Sequence, residues 1–173
     1  MKSLCMILIL TAFAGVTFGQ KTETMTIKLY FFNSRLNPDD QDCYKVYPVT
    51  RTIPKTAGVA TAALQELFKG PTAEEKAKQY SGYEPPETTG IFKSVKVKNG
   101  AAYVNFTKAV YTQMGNATST CGSGFFETVE QTLFQFPTIK KVYYAIEANA
   151  NDFYDWVQVG KCPHGKHCAS INF

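Results

Sequence analysis

Apolar and polar residues alternate most regularly between Ile91 and Thr107, IFKSVKVKNGAAYVNFT, with a break at Asn99-Gly100. Both of those residues tolerate the positive φ of a type I′ turn, so the stretch reads as a β-hairpin. A two-residue turn sets Lys98 opposite Ala101, Val97 opposite Ala102, Lys96 opposite Tyr103 and Val95 opposite Val104. One face of the ribbon then carries Val95, Val97, Ala102, Val104 and Phe106. The other carries Phe92, Lys96, Lys98, Tyr103 and Asn105. A two-stranded ribbon is marginal alone in water, so its apolar face needs a cover.

The rest of the pattern supplies one. Residues 26–32 alternate Ile27, Leu29 and Phe31 against Lys28, Tyr30 and Phe32, a first strand. Residues 44–53 form a second extended run, which Pro48 confines to a sheet edge or a bulge. From Thr56, the residues Ala60, Ala63, Leu64, Leu67 and Phe68 recur at helical spacing until Gly70-Pro71. Thr72 and Glu75 have the spacing of a capping box. A second helix from about Ser123 carries Phe126, Val129, Leu133 and Phe136 on one stripe, and Pro137 ends it. Residues 141–147 form the last strand, with Val142, Tyr144 and Ile146 on one side. The tail, 148–173, holds an aromatic group (Phe153, Tyr154, Trp156) and the loop CPHGKHC.

The order ββαββαβ contains two amphipathic helices, too few to cover both faces of a sheet. The expected fold is therefore α+β: a two-layer domain whose mixed five-stranded sheet carries helices on one face, followed by the C-terminal tail. Lys28, Tyr30, Phe32, Lys96, Lys98, Tyr103 and Tyr143 would then point away from the helices.

Residues 1–19 have the form of a secretory signal: Lys2, an apolar run from Leu4 to Phe13, then Thr17 and Gly19 before a cleavage site. The apolar run is too short to span a bilayer, and Cys5 falls too early to be lipidated. Cleavage removes 19 of 173 residues and leaves 154 beginning at Gln20, enough for one domain with its own core. The formal charge falls from +4 to +3 on loss of Lys2. With only Arg35 and Arg51 as arginines, nothing here points to nucleic acid.

Cys43, Cys121, Cys162 and Cys168 remain, an even number that implies two disulfides in an exported chain. Three connectivities are open. Pairing Cys162 with Cys168 closes a small loop and is the simplest, leaving Cys43 with Cys121. That long-range staple would contribute on the order of 4 kcal/mol in the chain-entropy model.

Candidate chemistry is sparse. The only histidines, His164 and His167, lie three apart in the tail, and no nucleophile elbow or phosphate-binding glycine loop is present. The chain is read as a non-enzyme with no cofactor. The loop Cys162-Pro-His164-Gly-Lys-His167-Cys168 offers two thiols and two imidazoles, ligands suited to zinc or copper(I) if the cysteines are not paired. An extracellular metal-binding protein is thus the alternative function. Asn37, Asp39, Asp40 and Asp42 supply oxygens for calcium but lack the EF-hand pattern. Asn105 and Asn116 open glycosylation sequons, and Asn105 lies on the polar ribbon face. Tyr30, Lys96, Lys98, Tyr103 and Tyr143 would form a flat tyrosine and lysine surface suited to a protein or an envelope or extracellular polysaccharide.

Several ordered segments also carry a family likeness. They include Leu29-Tyr30-Phe31, Val46 through Pro54 (VYPVTRTIP), Ala63 through Thr72 (ALQELFKGPT) and Val95 through Gly100 (VKVKNG). Glu130-Gln131-Thr132-Leu133 and Phe136 through Val142 (FPTIKKV) follow. Together, over residues 26–147, these resemble the GerMN domain, named for sporulation and spore-germination proteins. The resemblance implies an envelope or exported module with no catalytic residues assigned, and relatives with cysteines near Cys43 and Cys121, which supports that pairing. The tail 148–173 lies outside the family pattern, and neither a germination role nor ring formation carries over.

Overall fold

The first alternating run forms β1 (Thr24–Asn33), which buries Ile27, Leu29 and Phe31 and pairs antiparallel with β2 (Tyr47–Pro54) in a computed structural model. The structure describes residues 23–38, 42, 44–114 and 124–173. Pro48 sits on the edge strand opposite Tyr30, whose own N–H turns away from β2, so the ladder has no bond to lose there. Helix α1 (Val59–Leu67) buries Ala60, Ala63, Leu64 and Leu67. It stops before Gly70, whose φ of +73° needs glycine, and a Cβ there would lie 2.3 Å from the Glu84 Cβ. Helix α2 (Ala73–Ala77) begins with the expected capping box of Thr72 and Glu75.

After a short β3 (Tyr80–Ser81), the hairpin appears as β4 (Phe92–Lys98) and β5 (Ala101–Phe106). Asn99 and Gly100 have φ of 51° and 79°, and all four expected cross-strand pairs are present. Phe92 departs from the expectation. A bulge at Lys93 returns Phe92 to the apolar face opposite Phe106, where it packs on Phe68 at 5.4 Å between ring centroids. Lys93 is turned outward and pairs with Glu147.

A short α3 (Val110–Gln113) precedes α4 (Gly124–Phe134), and β6 (Lys141–Ile146) runs parallel to β5. The core face of α4 is Phe125, Thr128, Val129, Thr132 and Leu133, and Phe136 lies beyond the helix end rather than on its stripe. Helix α5 (Ala150–Trp156) then packs against β6, with Asn149 capping its first N–H groups.

The chain is α+β, but its strands form two three-stranded sheets, β2-β1-β3 and β4-β5-β6, in place of the single five-stranded sheet expected. The cause lies at the second edge of β1. There the Gln135 side chain accepts from Lys28 N–H (2.8 Å) and donates to Lys28 C=O (2.6 Å), and Thr132 Oγ1 accepts from Tyr30 N–H (3.2 Å). The α4 end thus meets backbone groups that another strand would otherwise use. Among the described residues, no helix is long and apolar enough to cross a membrane.

Candidate functional site

Strand β5 is buried at all six positions, so the middle of the second sheet is covered on both sides. Ala102, Val104 and Phe106 meet the helices. Ala101, Tyr103 and Asn105 face the other way, as the alternation requires, and the tail lies over them. The loop is closed by a Cys162–Cys168 disulfide with an S–S distance of 2.06 Å. It presents two imidazoles to the sheet: His167 stacks on Tyr143 at 4.4 Å and hydrogen-bonds Tyr103 Oη through Nδ1 at 2.7 Å. His164 packs between Tyr143 and Tyr154, and the Phe173 ring meets Tyr103 edge-on at 5.5 Å.

Tyr103 and Tyr143 are consequently only 4% and 6% exposed, and Lys96 donates to the Phe173 carbonyl oxygen. Lys98 stays exposed beside Lys166, His167 and Asn172 in a groove of about 360 Å³. Tyr30 belongs to the other sheet. The five residues read as one flat surface are therefore not together, and four of them surround or underlie the tail. Trp156 is not part of this cover, since it packs on Tyr111, Phe126 and Phe153.

With both loop sulfurs bonded to each other, thiolate ligation there requires reduction, and His167 Nδ1 is already engaged. Among the described residues, no cluster of metal-ligating side chains forms. Asn37 and Asp42 are joined through the turn, with Asn37 Nδ2 donating to Asp42 C=O (3.0 Å) and the Asp42 carboxylate accepting from Tyr44 N–H (3.0 Å). Asp39 and Asp40 lie outside the described residues, as do Cys43, Cys121 and Asn116. Asn105 is not an accessible sequon. It is 3% exposed, and its side-chain oxygen accepts from Ala148 N–H at 2.9 Å.

The tail's hold on this face gives a direct expectation. Changing both Cys162 and Cys168 to serine should cost about 2 kcal/mol by loop entropy, read as a lower urea midpoint. Nitration of Tyr103 and Tyr143, followed by peptide mass spectrometry, should rise in the variant. Equal labelling of the two proteins would show that the tail does not shield them.

A larger groove, about 620 Å³, opens along the free edge of β6 between α4 and α5. Phe126 and Glu130 reach it from α4, Tyr144 from β6, Phe153 and Tyr154 from α5, and His164 from the tail. Glu130 accepts a hydrogen bond from Tyr144 Oη at 3.1 Å. Burial pushes the Glu130 carboxyl above the usual range; the Tyr144 bond pulls it down, and neighbouring Glu127 pushes it up again. Tyr154 is pushed up to about 12, mainly by burial. Sequence reasoning missed this groove. Phe126 and Glu130 stand four apart on α4, one turn of a helix edge, but only the docking of α5 brings the tyrosines to them.

A family model described as sporulation and spore germination matches residues 28–149. Among solved structures, the chain is similar to the tandem GerMN domains of the sporulation protein GerM from Bacillus subtilis. The identity is 24% over 77% of this chain and 42% of that one, with a TM-score of 0.52. It is also similar to the first GerMN domain of the same protein, at 22% identity over 70% of this chain and 82% of that one, with a TM-score of 0.47. The chain thus spans about two fifths of the tandem protein. No curated protein matches it at a significant level.

Proposed function

The chain belongs to the sporulation and spore germination family of domains, and on that premise we propose that it is an exported, non-catalytic binding and assembly module acting at the cell envelope or outside the cell. One observation carries the binding reading. Val95 and Val97 lie on the ribbon face that should be core, yet Val97 is 45% exposed. With Val59, Phe136 and Ile139, these valines line an apolar groove of about 310 Å³ beside β4, an edge strand of its sheet. An extended protein segment added to that edge would gain main-chain bonds and bury the valines. The leader-like N-terminus and the Cys162–Cys168 bridge support export.

The test is cross-linked capture from the extracytoplasmic fraction of the native host, with intact mass reading the start at Gln20 on the same sample. Val97→Lys should lose about 90% or more of the captured partner, a loss of about 1.4 kcal/mol in binding. Lys98→Ser, on the opposite ribbon face, should lose none. Capture unaffected by Val97→Lys, or a chain retaining its leader in the cytoplasm, would refute the reading.

A further inference from the structure

We infer that the groove along β6 is a binding site for a small organic ammonium ion. It lies apart from the β4 groove, so the two readings stand or fall separately. Three features of the groove select this ligand.

The first is its wall. Phe126, Tyr144 and Phe153 pack with centroids 4.9–5.3 Å apart, and Tyr154 meets Phe153 edge-on at 5.2 Å. These rings line one open space, with Phe126 the most exposed and Tyr144, Phe153 and Tyr154 presenting what they expose at their edges to it. An aromatic surface attracts an alkylammonium group while burying its alkyl part. The second is charge. Glu130 projects into the groove half-buried, with the Tyr144 hydroxyl as its hydrogen-bond partner. Among the described residues, no lysine or arginine lines the groove, and His164 is the one basic side chain at its rim. Glu127, one turn earlier on α4, adds a second negative charge nearby and is held by Gln131 rather than by a cation. A half-buried carboxylate without a cation is stabilised by a ligand that brings one.

The third feature is size. About 620 Å³ falls in the range of sites for small molecules and leaves room for a headgroup rather than a folded partner. Neutral sugars would also stack on such rings, but they would leave the Glu130 charge uncompensated. Anions are repelled by both glutamates.

The chain's single tryptophan makes the test direct. Trp156 packs on Phe126 and Phe153 at 6.3 and 5.9 Å, so filling the groove should change its emission. Choline chloride, Nα-acetyl-lysine methylamide and the uncharged choline isostere 3,3-dimethylbutan-1-ol are titrated at constant ionic strength, read by Trp156 fluorescence and by calorimetry. Choline or the lysine derivative should bind with a Kd of about 1 mM, and the tighter of the two identifies a headgroup or a peptide side chain as the source. The neutral isostere should bind about tenfold more weakly.

Glu130→Gln keeps an acceptor for Tyr144 and should lose about tenfold in ammonium affinity without changing that of the isostere. The inference is overturned if neither ammonium compound gives a saturable signal by either method. It is equally overturned if the isostere binds as tightly as the better ammonium compound, or if Glu130→Gln binds that compound as well as the wild type does.

Discussion

Replacing Arg51 with methionine is expected to lower the folding free energy by about 3 kcal/mol, read as a fall in the urea midpoint at unchanged slope. Arg51 leaves β2 and ties three other elements together. Its Nε and Nη2 grip both oxygens of Glu75, its Nη2 also donates to Gly70 C=O at 2.8 Å, and its Nη1 donates to Glu66 C=O at 3.1 Å. The guanidinium also lies over the Phe31 ring, 5.5 Å from its centroid. Only 12% of the side chain is exposed, against 14% for Glu75, so solvent cannot replace these bonds once they are lost. Methionine fills the space but removes the charged donor shared by Glu75, Glu66 C=O and Gly70 C=O, leaving Glu75 with the Thr72 N–H and Glu66 C=O with its backbone partners. Lysine should recover less than half of the loss, since one ammonium cannot copy a planar fork directed at three acceptors.

The same pair sets a pH dependence. Burial alone would raise the Glu75 carboxyl, but the Arg51 bond and the Thr72 N–H outweigh it and hold Glu75 below its ordinary value. A carboxyl depressed in the folded state stabilises the fold fully above its unfolded pKa of about 4.3, and that contribution is lost as the pH falls through the lower folded value. The gap between the wild type and Arg51→Met should therefore be widest near neutrality and shrink in acid. A gap independent of pH would mean that the methionine variant fails through packing and not through the ion pair.

Arg51 also shows where sequence reasoning stops. Its spacing to Glu75 follows no local period, because the contact joins a strand to a helix cap 24 residues later. Features that depend on neighbours along the chain were legible. The Asn99-Gly100 turn dictates the β4–β5 register, and the Thr72–Glu75 box starts α2. Those that depend on long-range competition were not. Lys28 and Gln135 are 107 positions apart, and their bonds help decide that β1 does not join the hairpin sheet. The bulge at Lys93 leaves no mark in the alternation, which by itself puts Phe92 on the opposite face from the one it occupies.

The candidate sites divide along the same line. Alternation correctly turned Tyr103 and Tyr143 away from the helices. Their cover came from a tail without periodicity, folded as a disulfide loop and two 3-10 turns. The β6 groove needed α5, which the sequence showed only as a group of aromatics.

The second large effect is expected at Phe106, where the two layers meet. The side chain is fully buried at the end of β5 and touches rings from three directions: Phe68 after α1, Phe125 on α4, and Tyr144 and Phe153 toward α5. Phe106→Ala should destabilise by about 3–5 kcal/mol, combining lost transfer energy with a cavity that these rings cannot close without leaving their own contacts. Phe106→Leu keeps most of the volume and should cost clearly less, about 1–2 kcal/mol. Stacking on Tyr144 at 6.1 Å with planes 9° apart also links Phe106 to the Glu130 groove. The leucine variant, still folded, should therefore shift the Trp156 emission spectrum. Urea titrations followed by Trp156 fluorescence and by far-ultraviolet circular dichroism test both points. Coincident midpoints with a loss near 1 kcal/mol in the alanine variant would mean that the helical layer holds without Phe106 and that the core is centred elsewhere.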